Sequence, residues 1–172
     1  MTNISLEGTS MGRTPVSYQP VWYSTKTYGQ DRGFSTAFRQ WRADSHCRLL
    51  HGYALGFKFV FGTHDLDARN WAVDFGSLKS LKAILEDSFD HTTIVAADDP
   101  DLDWFKEAAE RGLLKLVVFP AGGCEKFAEF VYQVTEQWLI DAGYSPRVWL
   151  DSVEVSEHGA NSAIYKEQKW QR

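Results

Sequence analysis

This chain has no long apolar run and no cysteine framework. No stretch approaches the roughly 18 consecutive apolar residues that a membrane-spanning helix needs, and no secretory signal opens the sequence. Cys47 and Cys124 are the only cysteines. That excludes a small disulfide-stapled scaffold and leads us to expect a reduced, cytoplasmic setting. Basic excess is lacking too: 18 Lys and Arg against 23 Asp and Glu leave a net charge of -5, which argues against wholesale nucleic-acid binding. Internal repeats, low-complexity tracts and interdomain linkers are not seen. The chain does have enough apolar material for a core. Its 172 residues are 44% hydrophobic and 15% aromatic, a composition that predicts one folded domain. Residues 1–19 carry Gly, Ser, Thr and Pro with little periodicity and read as a loose leader. Residues 20–172 read as the domain.

Residues 21–28 and 33–38 are rich in β-formers, and the polar, arginine-rich stretch 39–50 reads as a loop. From residue 51 the pattern alternates. Tyr53, Leu55, Phe57, Phe59 and Phe61 fall on one face of a strand, and Ala54, Gly56, Lys58 and Val60 on the other. Gly62 to Asp65 signals a turn, and residues 70–75 are expected to return as the second strand of a hairpin. Over 77–89 the spacing becomes helical, with Leu78, Leu81, Leu85 and Phe89 on one stripe and Ser77 placed to cap it. A shorter helix is predicted over 101–111, stopped by Gly112, then a strand over 114–119. The strongest helical pattern covers 123–142 (Phe127, Phe130, Val131, Val134, Trp138 and Leu139) and ends at Gly143. Residues 147–156 alternate as a last strand. The order predicts an α+β fold, a mostly antiparallel sheet with two main helices packed on one face.

Arg32, Arg39, Arg42 and Arg48 crowd one short stretch. They read either as a solvated basic loop or as an anion clamp, since guanidinium groups grip carboxylate and phosphate oxygens in pairs. Cys47 reads either as a core filler or as a reactive thiol. In Asp90-His91 a carboxylate stands next to an imidazole whose tautomer it can fix.

Cys47-Arg-Leu-Leu-His51-Gly-Tyr53, then Trp71-Ala-Val-Asp74-Phe75-Gly-Ser-Leu-Lys79, then Asp90-His91, then Glu157 with Tyr165 eight residues on, keep a definite order. In that order they resemble the 6-pyruvoyl tetrahydropterin synthase and 6-carboxytetrahydropterin synthase family, over roughly residues 33–166. The family pattern Cys-x-x-x-His-Gly-His ends in two zinc-binding histidines, and the second is Tyr53 here. The third zinc ligand ends a Phe-x-Ala-Ala-His segment, where this chain has Phe34-Ser-Thr-Ala-Phe38. The Leu-Asn that usually follows Asp-His is replaced by Thr92 and Thr93, and the Pro-Thr-Ser/Ala-Glu-Asn segment reads Pro120-Ala-Gly-Gly-Cys124-Glu125-Lys126.

The resemblance implies the tunnelling fold: a four-stranded antiparallel sheet with two helices, whose subunits join sheets into a barrel with sites between subunits. It implies a lyase acting on 7,8-dihydroneopterin triphosphate or a related 6-substituted pterin, in 7-deazaguanine and queuosine or pterin biosynthesis. Cys47 and His91 would move protons, Asp90 would orient His91, and Glu157 would anchor the pterin through paired N–H groups, with Glu154 as the competing carboxylate. Arg48 and its neighbours would hold the ligand's side chain. The alternative is a non-catalytic pterin- or purine-binding paralogue. Zinc is the cofactor the family implies, yet only His51 remains of its three ligand positions. The expectation is therefore well under one zinc per chain, unless His46, Cys47, His64 or His158 supplies replacement ligands.

Overall fold

The computed structural model describes residues 19–167. The expected leader over 1–19 falls, but for Gln19, outside them. Along the chain run β1 (Trp22–Tyr28), β2 (Phe34–Phe38), β3 (His51–Thr63), α1 (Lys79–Phe89), β4 (Thr92–Ala96), α2 (Leu102–Glu110), β5 (Leu116–Phe119), α3 (Cys124–Asp141), β6 (Val148–His158) and β7 (Asn161–Tyr165). They build one seven-stranded sheet in the order β5-β4-β2-β3-β6-β7. β3 is long enough to hold two partners along one edge: its first half pairs antiparallel with β2, and its second half with β1. β6 takes its other edge, antiparallel, and β7 follows β6.

The alternation read in β3 holds in the fold. Leu55, Phe57, Phe59 and Phe61 are fully buried beneath the helices, and Phe57 and Phe89 meet ring to ring at 5.0 Å. α3 lies over β6 in the opposite sense. Tyr132 donates its hydroxyl proton to the Leu150 carbonyl at 3.1 Å, so the first turn of α3 sits level with the end of β6. The buried face of α3 is Cys124, Phe127, Ala128, Val131, Tyr132, Thr135, Trp138 and Leu139.

Three expectations need correction. The sheet is mixed and seven-stranded, not four-stranded and antiparallel. β4 lies parallel to both β2 and β5. The segment Thr92–Ala96 is buried along its whole length and carries no alternation to reveal it as a strand. The two main helices, α1 and α3, share one core, while the shorter α2 lies apart from it. α2 packs on β4 and β5. Ile94 belongs to the main core, whereas its buried neighbour Val95 lies outside it, so α2 covers the second face there. Residues 70–75 form no strand, because both edges of β3 are already taken. The backbone of that segment is held by side chains instead: Asp67 accepts from the Arg69 and Trp71 N–H groups, and Arg147 donates to the Asp65, Trp71 and Ala72 carbonyls. Finally, Ser77 does not cap α1. Its hydroxyl donates to the Asp74 carbonyl at 2.6 Å and meets the Tyr144 hydroxyl at 2.8 Å.

No helix among the described residues is long and apolar enough to cross a membrane.

Candidate active site

Most of the predicted site residues gather at one end of the sheet. β2 and β3 set Phe38 directly opposite His51, and Tyr53 stands two residues on, on the same face. Their rings touch: Phe38 to His51 is 5.2 Å between centroids, Phe38 to Tyr53 6.1 Å, and His51 to Tyr53 5.4 Å. The three positions that the resemblance assigns to zinc therefore do converge. Their chemistry does not suit the metal. Phe38 has no lone pair and is buried against Phe127. Tyr53 would have to lose a phenolic proton whose ordinary pKa is about 10. His51 alone keeps the ligand's form, its Nδ1 lying 2.6 Å from the Leu49 carbonyl oxygen. Among the described residues no group of three His, Cys, Asp or Glu side chains is placed to hold a metal ion. His64 is out of reach at the far end of β3, beside Pro20 and Trp149.

Cys47 sits in a short 3-10 turn, His46–Arg48, whose start is capped by the Ser45 hydroxyl. The turn is tied to the site twice over. Gln40 N–H donates to the Cys47 carbonyl, and the Gln40 side-chain amide donates to the Gly122 carbonyl, both at 2.9 Å. Gly123, next in line, has φ 101, and a Cβ there would lie 2.1 Å from the Gln40 amide nitrogen. Only glycine allows this packing at the start of α3.

Glu157 sits where the register of β6 shifts, between Ser156 and His158, and turns toward the first turn of α3. There it meets the buried Cys124. Burial, and then the Glu157 charge beside it, push the Cys124 thiol up to about 12, so at neutral pH it is an S–H donor for the carboxylate. The positive end of α3 favours the carboxylate as well. Glu154 stands three residues earlier, opposite Lys58 on the other face, and is no rival for this position. Sequence reading gave Cys124 no part beside Glu157, because nothing in spacing brings residue 124 next to residue 157. His158 also enters the site, its ring 5.7 Å from Tyr53.

The two cysteines should differ in reactivity. At pH 8, iodoacetamide is expected to label the partly exposed Cys47 and leave the buried Cys124 unmodified until the protein is unfolded. Peptide mass spectrometry reads this directly, and equal labelling of both in the folded protein would contradict the assignment.

Three of the four arginines are already paired with carboxylates of this chain. Arg39 grips Asp99 through two nitrogens at 2.8 and 2.5 Å and reaches Asp101 at 2.6 Å. Arg42 meets Asp98 at 2.5 Å, and Arg32 meets Asp31. Asp99 is held well below the usual carboxylate range by the Arg39 hydrogen bond. Carboxylates about sixty positions away in the chain pair with two of the four arginines, Arg39 and Arg42. Arg48, exposed at the end of its turn, has no ion pair among the described residues.

Asp90 and His91 lie elsewhere. His91 Nδ1 is 2.8 Å from the Asp90 carboxylate, its side chain is 85% exposed, and its backbone is left-handed at φ 54. Thr36 pairs with Thr92, which puts His91 level with Ser35. Cys47 is level with Gln40, to which it is hydrogen-bonded. Five residues separate Ser35, inside β2, from Gln40, just past its end, on the order of 15 Å along the strand direction. The thiol and the imidazole of one protomer therefore do not meet. A hollow of about 480 Å³ lined by Trp22, Trp71 and Phe75 lies toward the other end of β3 and contains none of these residues.

Fold and site together define a small α+β protein with a buried-edge carboxylate, a loop thiol and a histidine–aspartate pair. Over residues 28–168 the sequence matches 6-pyruvoyl tetrahydropterin synthase, and the chain belongs to that family. A 6-carboxy-5,6,7,8-tetrahydropterin synthase of Aquifex aeolicus is 29% identical over 153 residues, spanning 86% of this chain and 90% of that protein. Among solved structures, an uncharacterized protein of Wolinella succinogenes superposes with a TM-score of 0.73 at 18% identity, over 87% of this chain and 99% of the other. The 6-pyruvoyl tetrahydropterin synthase of Plasmodium falciparum gives 0.62 at 13% identity, over 86% and 98%. At those identities the structural likeness speaks for the fold alone.

Proposed function

We propose that this chain is a lyase of the 6-carboxytetrahydropterin synthase kind, acting on dihydroneopterin triphosphate or a related 6-substituted pterin. The observation that carries this reading is the Asp90–His91 pair. An imidazole held by a carboxylate at 2.8 Å, almost wholly exposed, on a left-handed backbone, supports reading His91 as an acid–base group that serves a site outside its own protomer. Glu157 would accept paired N–H groups of the aminopyrimidinone ring. Cys47 would exchange a proton with the ligand's side chain, and His91 of a second copy would complete the exchange.

The separation of Cys47 from His91 within one protomer makes assembly a requirement of this reading. β1 and β7 each pair with a single neighbour and leave an open edge, and open edges invite pairing between copies. We take the active form to be a closed, trimer-based homo-oligomer. Phe38 and Tyr53, which replace two metal ligands, favour the second reading, a paralogue that binds a pterin without turning it over.

Subunit mixing tests the proposal. Cys47→Ala and His91→Ala are each expected to be inactive alone. Co-expressed, they should regain roughly a quarter of the wild-type rate, since a random pairing joins an intact thiol to an intact imidazole in that share of sites. A mixture as inactive as its parts would sink the shared site. Pterin binding without turnover by wild type would favour the second reading.

A further inference from the structure

The residues that fail to make a metal site make a different one. His51, Tyr53 and His158 stand side by side, with Tyr53 in the middle at 5.4 and 5.7 Å between ring centroids. Phe38 closes one side and keeps water from the back of the cluster. The hydrogen bonds fix what each ring offers. The Leu49 carbonyl can only accept, so His51 Nδ1 carries the proton and donates it to that oxygen, 2.6 Å from Nδ1. In that tautomer the ring presents Nε2 as the acceptor. His158 is already occupied: the Ala160 N–H donates to its Nδ1, and the Asn161 side-chain amide lies 3.3 Å from its Nε2. It serves as a wall for Tyr53. The Tyr53 hydroxyl itself makes no hydrogen bond among the described residues, although the ring is half-buried and wedged between partners.

A phenolic O–H without a protein partner, beside a fixed imidazole acceptor, is the complement of an alcohol, which needs one acceptor for its proton and one donor for its oxygen. We infer that Tyr53 and His51 bind a hydroxyl group of the ligand's side chain without a metal, Tyr53 as neutral donor and His51 Nε2 as acceptor. This rests on the pterin reading above and deepens it. It gives the side-chain hydroxyls a partner besides Arg48, since Arg39 and Arg42 are spent on Asp98, Asp99 and Asp101.

Two probes separate this inference from the pterin reading. Neopterin carries a hydroxylated side chain; 6-methylpterin carries none. Titration calorimetry in the presence of EDTA should find neopterin bound about tenfold tighter by wild type, the usual worth of one well-made hydrogen-bond set. Tyr53→Phe keeps the ring and removes only the hydroxyl. It should bind both probes alike, with the 6-methylpterin affinity unchanged. His51→Phe, which keeps a ring against Phe38 and removes the acceptor, should do the same, so a folding failure of one variant leaves the other to decide. A preference for neopterin that survives both substitutions overturns the inference. So does a wild type that binds the two probes equally, although the pterin reading then stands. A wild type that binds neither probe removes the pterin reading and this inference with it.

Discussion

Glu157→Gln is expected to abolish measurable pterin binding while leaving the fold intact. The carboxylate offers acceptors only, and an aminopyrimidinone ring presents two parallel N–H donors to it. The amide replaces one acceptor with an N–H that opposes the ligand's own. The loss is on the order of 1.5–3 kcal/mol, at least a tenfold weaker complex. The neighbourhood sharpens the effect. Cys124 S–H and the first turn of α3 both address a negative group at this position, and the neutral amide gains little from either. Glu154→Gln is the control. Its side chain lies on the opposite face of β6, across from Lys58, and the variant should bind as wild type does. Calorimetry with a pterin, alongside a circular dichroism check of folding, decides the matter. Equal affinity for wild type and Glu157→Gln would remove the anchor.

The strong periodicities proved the readable part of this chain. Leu55 to Phe61 alternate and are buried on one face. The stripe of Leu81, Leu85 and Phe89 is buried along α1. Gly112 and Gly143, read as helix stops, take left-handed φ of 74 and 73 just past α2 and α3. Short elements without alternation escaped. β4 is buried on both faces and looks like any apolar loop, and β7 is a five-residue strand folded back after a tight turn. Order along the chain brought the site residues to notice, but their grouping in space was not legible there. Nothing in the spacing shows that His91 lies at the opposite end of β2 from Cys47, because that follows from β4 pairing parallel to β2. Nor does it show the arginines meeting the aspartates after β4, since ion pairs between distant segments leave no mark in local pattern.

The largest change should come from restoring histidine at two positions. Phe38→His with Tyr53→His places three imidazoles at adjoining positions: residue 38 lies directly across from residue 51, and residue 53 is two along on the same face. Side chains opposed across strands have Cβ atoms about 4.5–5.5 Å apart, close enough for imidazole nitrogens to converge on one zinc at about 2.0–2.1 Å. His51 is already in the required form, since its Nδ1–H is committed to the Leu49 carbonyl and a metal would take Nε2. Without zinc the double variant should be less stable than wild type by about 2–4 kcal/mol, somewhat less than the 3–5 kcal/mol of a buried Phe→Ala change. Phe38 is 1% exposed and packs on Phe127, and an imidazole there loses apolar contact and buries a polar ring. Zinc binds the folded state only if the three rings converge, and at about a thousandfold excess over its dissociation constant it returns about 4 kcal/mol. The melting temperature of the double variant should therefore rise by about 10 °C on adding zinc and fall back with EDTA. Wild type should respond to neither and carry well under one zinc per chain by elemental analysis. One tightly held zinc in wild type, with a melting temperature that drops on chelation, would overturn this. His46, Cys47 or His158 would then have to be ligands, and the Tyr53 hydroxyl would be facing a metal after all.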